Sequence, residues 1–192
     1  MNRSVMDRVV SATGAIVGVV LLAAAALLFF ANSYVHGQVS DQLKEQQITF
    51  PAAGSEAIAS LPAADQKEIS KYAGQPMETG AQAKAFADHY IKVHLREVAD
   101  GQTYSQVSAK ALANPDDQKL AGQVQTLFRG ETLRGLLLNA YAFDTMATVA
   151  LIAAWISVAA GVLLLLLAGF GLRHARTAAA APAESPAEYA AT

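Results

Sequence analysis

Two long apolar stretches without a charged residue, Val9–Val35 and Thr145–Leu172, bracket a polar middle. Each exceeds the ~20 residues that an α-helix needs to cross a hydrocarbon core about 30 Å thick. Lipid offers the backbone no hydrogen-bond partners, so only helices and closed barrels cross it. Runs this long without alternation read as helices. The expected fold is therefore an all-α membrane protein: two transmembrane helices flank a small extracytoplasmic helical domain, and the second span continues from a long external helix. The boundaries predicted on this basis are a cytoplasmic N-terminus at 1–8, a first span at 9–35, an extracytoplasmic domain at 36–144, a second span at 145–172 and a disordered cytoplasmic tail at 173–192.

Basic residues flank the far ends of the spans, Arg3 and Arg8 before the first and Arg173 and Arg176 after the second. Such residues mark the cytoplasmic side, which puts both termini inside and the middle outside. Interface aromatics agree: Phe29, Phe30 and Tyr34 close the first span, and Tyr141, Phe143 and Trp155 gather near the start of the second. The opening Arg–apolar pattern resembles a signal peptide, but the apolar run outlasts the ~7–15 residues of a signal core and no small-x-small cleavage site follows it. A retained anchor is expected.

The chain of 192 residues carries a net charge of −2, so it offers no basic face for nucleic acid, and it has no cysteine. That absence removes disulfides, thiolate nucleophiles and thiolate metal sites together.

Between the spans the pattern is helical. Val35, Val39 and Leu43 extend the first helix to about Gln46. The segment Ile48–Gly54 reads as irregular, with room for one short extended piece but no hairpin. Pro62–Tyr72 reads as a short helix with Pro at its first turn, ended by Gly74-Gln-Pro76. A longer helix over about Gly80–Ala99 has Thr79 as N-cap. It shows an apolar face (Phe86, Tyr90, Ile91, Val93, Leu95, Val98) opposite Lys84, Asp88, Lys92 and Arg96. Asp100-Gly101 ends it, and Thr103-x-x-Gln106 is a capping-box pattern for a helix to about Ala113. Asn114-Pro115-Asp116-Asp117 predicts the start of the long last helix, with Asn114 as N-cap and a kink near Gly130 or Gly135.

No catalytic constellation is apparent. The serines lack a nucleophile elbow, and phosphate-binding and dinucleotide motifs are absent from the sequence. No cofactor or metal is expected. His89 and His94 are five apart, off a common helical face, so a metal site would need His36 with Glu97 or Asp88 as well. The densest polar cluster is Arg129, Glu131, Arg134, Asn139, Tyr141 and Asp144, near the membrane edge; Glu131 and Arg134 are spaced to pair along the helix. Small residues at four-residue spacing, Gly14 and Gly18 in the first span and Ala153, Ser157 and Gly161 in the second, allow close helix packing. Two spans without an internal charge provide no polar pore lining.

The runs Phe128-Arg-Gly-Glu-Thr-Leu-Arg-Gly-Leu-Leu-Leu-Asn-Ala-Tyr-Ala-Phe143, Gly101-Gln-Thr-Tyr-Ser-Gln-Val-Ser108 and Ala83-Lys-Ala-Phe-Ala-Asp-His89 resemble a family of uncharacterised small actinobacterial membrane proteins with the same span–loop–span layout. The resemblance covers most of Val9–Leu172. It implies the plasma membrane and an external α-helical domain, and it brings no activity, substrate or catalytic residue.

The leading expectation is a non-enzymatic accessory subunit. Besides the lipid bilayer, its partner is another membrane or envelope protein, or itself, met through the external domain and the membrane-edge cluster. Two alternatives follow from other residues: a small-ligand sensor with a groove at Tyr90, His94, Glu97 and Tyr104, and a metal-dependent enzyme using His89 or His94.

Overall fold

The structure is a computed structural model that describes residues 3–180. It is all-helical, and among the described residues pairing of extended backbone is confined to one isolated antiparallel bridge, Thr49 with Pro76. The helices are α1 (Arg3–Glu45), α2 (Glu56–Ala59), α3 (Ala63–Ser70), α4 (Gly80–Phe86), α5 (Lys92–Val98), α6 (Tyr104–Ala113) and α7 (Gln118–Ala180), with a π-helical turn, Ala87–Ile91, joining α4 to α5. Two of them, α1 and α7, are long and apolar enough to cross a membrane. The described residues fall into two compact units: an apolar unit of 3–30 and 150–180, and a polar unit of 31–149.

In the apolar unit α1 and α7 run antiparallel, and the buried positions recur every seventh residue. On α1 these are Ser11, Gly18 and Ala25; on α7 they are Ala154, Gly161, Ala168 and Ala175. A seven-residue repeat keeps one seam facing its partner when two helices wind left-handedly around each other. Gly18 and Gly161 form the closest approach. A Cβ on Gly18 would lie 3.0 Å from the Gly161 carbonyl oxygen, and one on Gly161 would lie 2.9 Å from that of Gly18. The four-residue spacing read from the sequence is thus only part of the pattern. Gly18 and Gly161 lie on the seam and Gly14 stands 3.9 Å from Ala168, while Ala153 and Ser157 are half-buried beside the seam. Phe29 and Trp155 meet edge to face with ring centroids 5.2 Å apart.

The polar unit is built on a core of Phe50, Ile58, Leu61, Ile69, Met77, Ile91, Leu95 and Leu127 with smaller neighbours. Phe50 is its aromatic centre, 5.3 Å from the rings of both Tyr72 and Phe86. The segment after α1 is irregular with one short extended piece, as the sequence suggested, and that piece pairs at long range. Met77 N–H donates to the Ile48 carbonyl (2.8 Å), Phe50 N–H to Gln75 (3.0 Å) and Gly74 N–H to Pro51 (3.0 Å). This clasp holds both ends of the α2–α3 excursion against the core.

Helix starts follow local chemistry. Thr79 caps α4 in a reciprocal box: Gln82 N–H donates to Thr79 Oγ1 (3.2 Å) and Thr79 N–H to Gln82 Oε1 (3.0 Å). Gln82 is itself buried and also receives Glu78 N–H at 2.7 Å. Removing the hydroxyl should therefore cost more than a frayed turn. Thr79→Ala is expected to destabilise the polar unit by about 1 kcal/mol, read as a lower denaturant midpoint, with Thr79→Ser close to wild type. Thr103 and Gln106 make the same box for α6. The α5 terminus is closed by positive φ at Asp100 and Gly101, with Gly101 N–H returning to the Arg96 carbonyl (2.8 Å).

Three details differ from the sequence reading. The last helix starts at Gln118, because Asp117 rather than Asn114 is the cap: Asp117 Oδ1 accepts from Lys119 and Leu120 N–H. The Asn114 side chain points back and donates to the Lys110 carbonyl, closing α6 instead. Second, the predicted Gly80–Ala99 helix contains the π turn, where Lys92 N–H reaches the Ala87 carbonyl. One extra residue per turn rotates the following face by about 100°, so Lys92, after the turn, is half-buried rather than set opposite the core; Lys84, before it, and Asp88, within it, are half-buried as well. Third, α7 continues as helix through Arg173–Ala180, which the sequence reading gave to the tail; the rest of that tail, 181–192, lies outside the described residues. Gly130 and Gly135 both lie within α7, and Gly130 is a packing point where a Cβ would strike the Leu95 side chain.

Candidate functional site

The polar cluster expected at the membrane edge lies on the α7 portion of the polar unit, and the fold divides it. Arg134, Tyr141 and Asp144 turn toward α1 and the α4–α5 segment, while Arg129, Glu131 and Asn139 are exposed.

Asp88, presented by the π turn, accepts from Lys84 Nζ one turn earlier (2.5 Å) and from Arg134 Nη2 (3.1 Å), 46 residues away in sequence. Arg134 also bonds Glu131 at 3.3 Å, the i,i+3 pair expected from spacing. Its Nε is buried without a hydrogen-bond partner, so the two terminal nitrogens carry its pairing with Asp88 and Glu131. Lys84 Nζ also stands 5.4 Å from the Tyr141 ring centroid. Further along, His36 Nδ1–H donates to Asp144 Oδ1 (2.5 Å), tying α1 to α7, and Asn32 Nδ2 donates to the Ala147 carbonyl (2.8 Å). Gly80 packs directly on Asp144, where a Cβ would overlap the Asp144 side chain. These three members of the cluster hold the polar unit together.

Burial alone would raise the Asp88 carboxyl, but hydrogen bonds from Lys84 and Arg134 outweigh it and hold the group below its usual range. A depressed native value means that the unfolded chain binds the proton more readily. The stabilisation is present above the ordinary carboxylate pKa of about 3.9 and disappears as pH falls through the lowered native value. Asp88→Asn is expected to cost about 2 kcal/mol near neutral pH, between an exposed and a buried pair. Thermal melts from pH 7 to pH 3 should show the gap between variant and wild type closing at the acid end.

The second expected group, Tyr90, His94, Glu97 and Tyr104, is brought together in part. Tyr90 and His94 rings lie 4.5 Å apart, and His94 Nδ1–H donates to the Tyr90 carbonyl at 2.8 Å. Glu97 is exposed, and Tyr104 packs against Phe128, 6.1 Å between centroids. The remaining half-buried histidine, His89, is bonded to Asp65 on α3 (2.7 Å). Among the described residues no three His, Asp or Glu side chains converge as ligands to a metal ion.

Sequence reasoning missed a surface feature. A trough of about 390 Å³ runs between the α1 and α7 portions of the polar unit, with Leu43, Leu133, Leu136, Leu137, Ala140 and Phe143 as apolar lining and Gln42, Gln46 and Asn139 at its rim. A smaller hollow of about 240 Å³ continues it along Tyr34, Val35, Gln38 and Val39. The signal was present in Leu133, Leu136, Ala140 and Phe143, spaced three, four and three apart, but the same run supplies buried Leu137. Compared with protein-family models, with curated proteins and with solved structures, the chain matches none of them.

Proposed function

We propose that this chain is a non-enzymatic plasma-membrane protein with both termini in the cytoplasm, whose polar unit faces outward and binds another envelope protein. The basic residues beside the two apolar runs support that orientation. One observation carries the binding role: the polar unit leaves large apolar side chains more than half exposed, one of them beside an unbonded cation. Leu112 on α6 is 82% exposed and Phe128 on α7 is 54% exposed. Arg129 follows Phe128 directly, and among the described residues it is exposed and bonded to no other side chain. Exposed apolar side chains with a polar rim are the ordinary composition of a protein contact surface.

The test is site-specific photocrosslinking in intact cells. A benzophenone amino acid at Leu112, Phe128 or Arg129 should yield an adduct with one discrete envelope protein, while the same probe at Lys67 on α3 should not. Absence of any adduct from all three positions, with the protein present in the membrane, would contradict the reading.

A further inference from the structure

We infer that a groove at the basic end of the apolar unit holds one phospholipid whose headgroup carries a primary ammonium. The inference rests on the reading that both helices cross a bilayer, and it uses a surface separate from Leu112 and Phe128. The groove, of about 540 Å³, lies between the first turns of α1 and the last part of α7. Met6, Val10, Leu167 and Phe170 form its apolar walls. Val10 is 66% exposed and Phe170 is 68% exposed, so among the described residues the chain leaves these walls uncovered.

The floor of the groove is Ser11 against Gly171, where an added Cβ would overlap the Ser11 hydroxyl. Ser11 is 6% exposed, yet among the described residues its hydroxyl makes no hydrogen bond. It lies one turn deeper into the apolar run than Asp7, about 6 Å along the helix. The ester carbonyls of a phospholipid sit below its headgroup by a similar step, and they accept hydrogen bonds. A buried hydroxyl without a partner costs free energy, and a bond donated to an ester carbonyl recovers it.

Charge at the mouth selects the headgroup. Asp7 lines the α1 wall and His174 the α7 wall, while exposed Arg173 lies three residues beyond Phe170 on the same face of α7. The contacts of Ser11 with Gly171 and of Gly14 with Ala168 set the antiparallel register. Equal steps outward from them put Asp7, Arg173 and His174 within one turn of each other along the axis. Among the described residues none of the three is bonded to another side chain. A phosphate diester accepts from guanidinium and imidazole N–H groups. A purely anionic headgroup would leave the Asp7 carboxylate facing negative charge, and a choline ammonium has no N–H to donate. A primary ammonium beside the phosphate satisfies both walls.

The test is native mass spectrometry of the full chain in detergent with equal amounts of dioleoyl phosphatidylethanolamine, phosphatidylcholine and phosphatidylglycerol. One phosphatidylethanolamine per chain should stay bound, favoured over each of the others by about fivefold or more. Asp7→Asn should abolish the preference over phosphatidylcholine, and Arg173→Gln should weaken retention of both lipids alike. Asp41→Asn, at an exposed acid elsewhere on α1, should change neither. An ether-linked phosphatidylethanolamine, which lacks the ester carbonyls, should bind more weakly to wild type and no more weakly still to Ser11→Ala. Equal retention of the three lipids, a preference for phosphatidylglycerol, or a preference that survives Asp7→Asn overturns the site. If that same protein stays in the membrane after alkaline carbonate, the membrane reading stands without it. A protein that washes off with carbonate overturns the membrane reading and the lipid site together.

Discussion

Gly80→Leu is expected to detach α4 from α7 and destabilise the polar unit by about 3 kcal/mol or more. A Cβ at this position would overlap the stem of Asp144, not the free end of a flexible chain. Asp144 has no room to retreat, because its carboxylate is held by His36 from α1. Either the Asp144–His36 bond breaks or the first turn of α4 lifts, and lifting α4 opens the Thr79–Gln82 box with the buried Gln82 behind it. The loss should appear as a melting temperature lower by about 10 °C and as rapid protease cleavage between α3 and α4. Gly135→Leu is the matched control. It lies on the same long helix with nothing within 4 Å of its added Cβ, so its melt should stay near wild type.

Gly161→Leu should have the largest effect in the apolar unit. Its Cβ would sit 2.9 Å from the Gly18 carbonyl oxygen, and backbone in a helix pair moves only if the helices part. In the bilayer proposed for them, lipid tails are as apolar as leucine, so close packing is the main attraction between the two helices and separation forfeits it along the whole seam. A double-cysteine chain, Ser11→Cys with Gly171→Cys, reports the seam, since these positions touch in the structure. Its internal disulfide should form readily and fall at least tenfold when Gly161→Leu is added. Gly169→Leu, with open space at its Cβ, should leave it unchanged.

These two glycines mark how much of the fold was legible. Helix ends with a cap written in adjacent residues were readable, as at Thr79 and at Thr103-x-x-Gln106, because capping is decided within one turn. The all-helical class and the two long apolar helices were readable from run length alone. The α7 start was misplaced because Asn114 and Asp117 are both good caps, and only the packing of α6 decides which one serves which helix. The π turn left no local mark, since one inserted residue changes neither composition nor propensity. Its effect, bringing Asp88 to Arg134, depends on a residue 46 positions away. Small residues are so frequent in both apolar runs that four- and seven-residue spacings coexist. Only the antiparallel pairing selects Ala154 over Ala153.

The candidate contact residues were legible as a cluster but not in their roles. Arg134, Tyr141 and Asp144 share a helix with Arg129 and Asn139, yet the α4–α5 segment and α1 engage the first three and leave the other two exposed. Spacing along α7 separates these faces only once it is known where the rest of the polar unit packs.

Placement of the polar unit beyond the membrane is the claim on which the proposed partner depends. Single cysteines at Ala53, in the exposed turn before α2, and at Thr177, near the described end of α7, report it when intact cells meet a membrane-impermeant maleimide. The account predicts labelling of Ala53→Cys in intact cells and of Thr177→Cys only after lysis. Labelling of Thr177→Cys in intact cells while Ala53→Cys stays protected would contradict it.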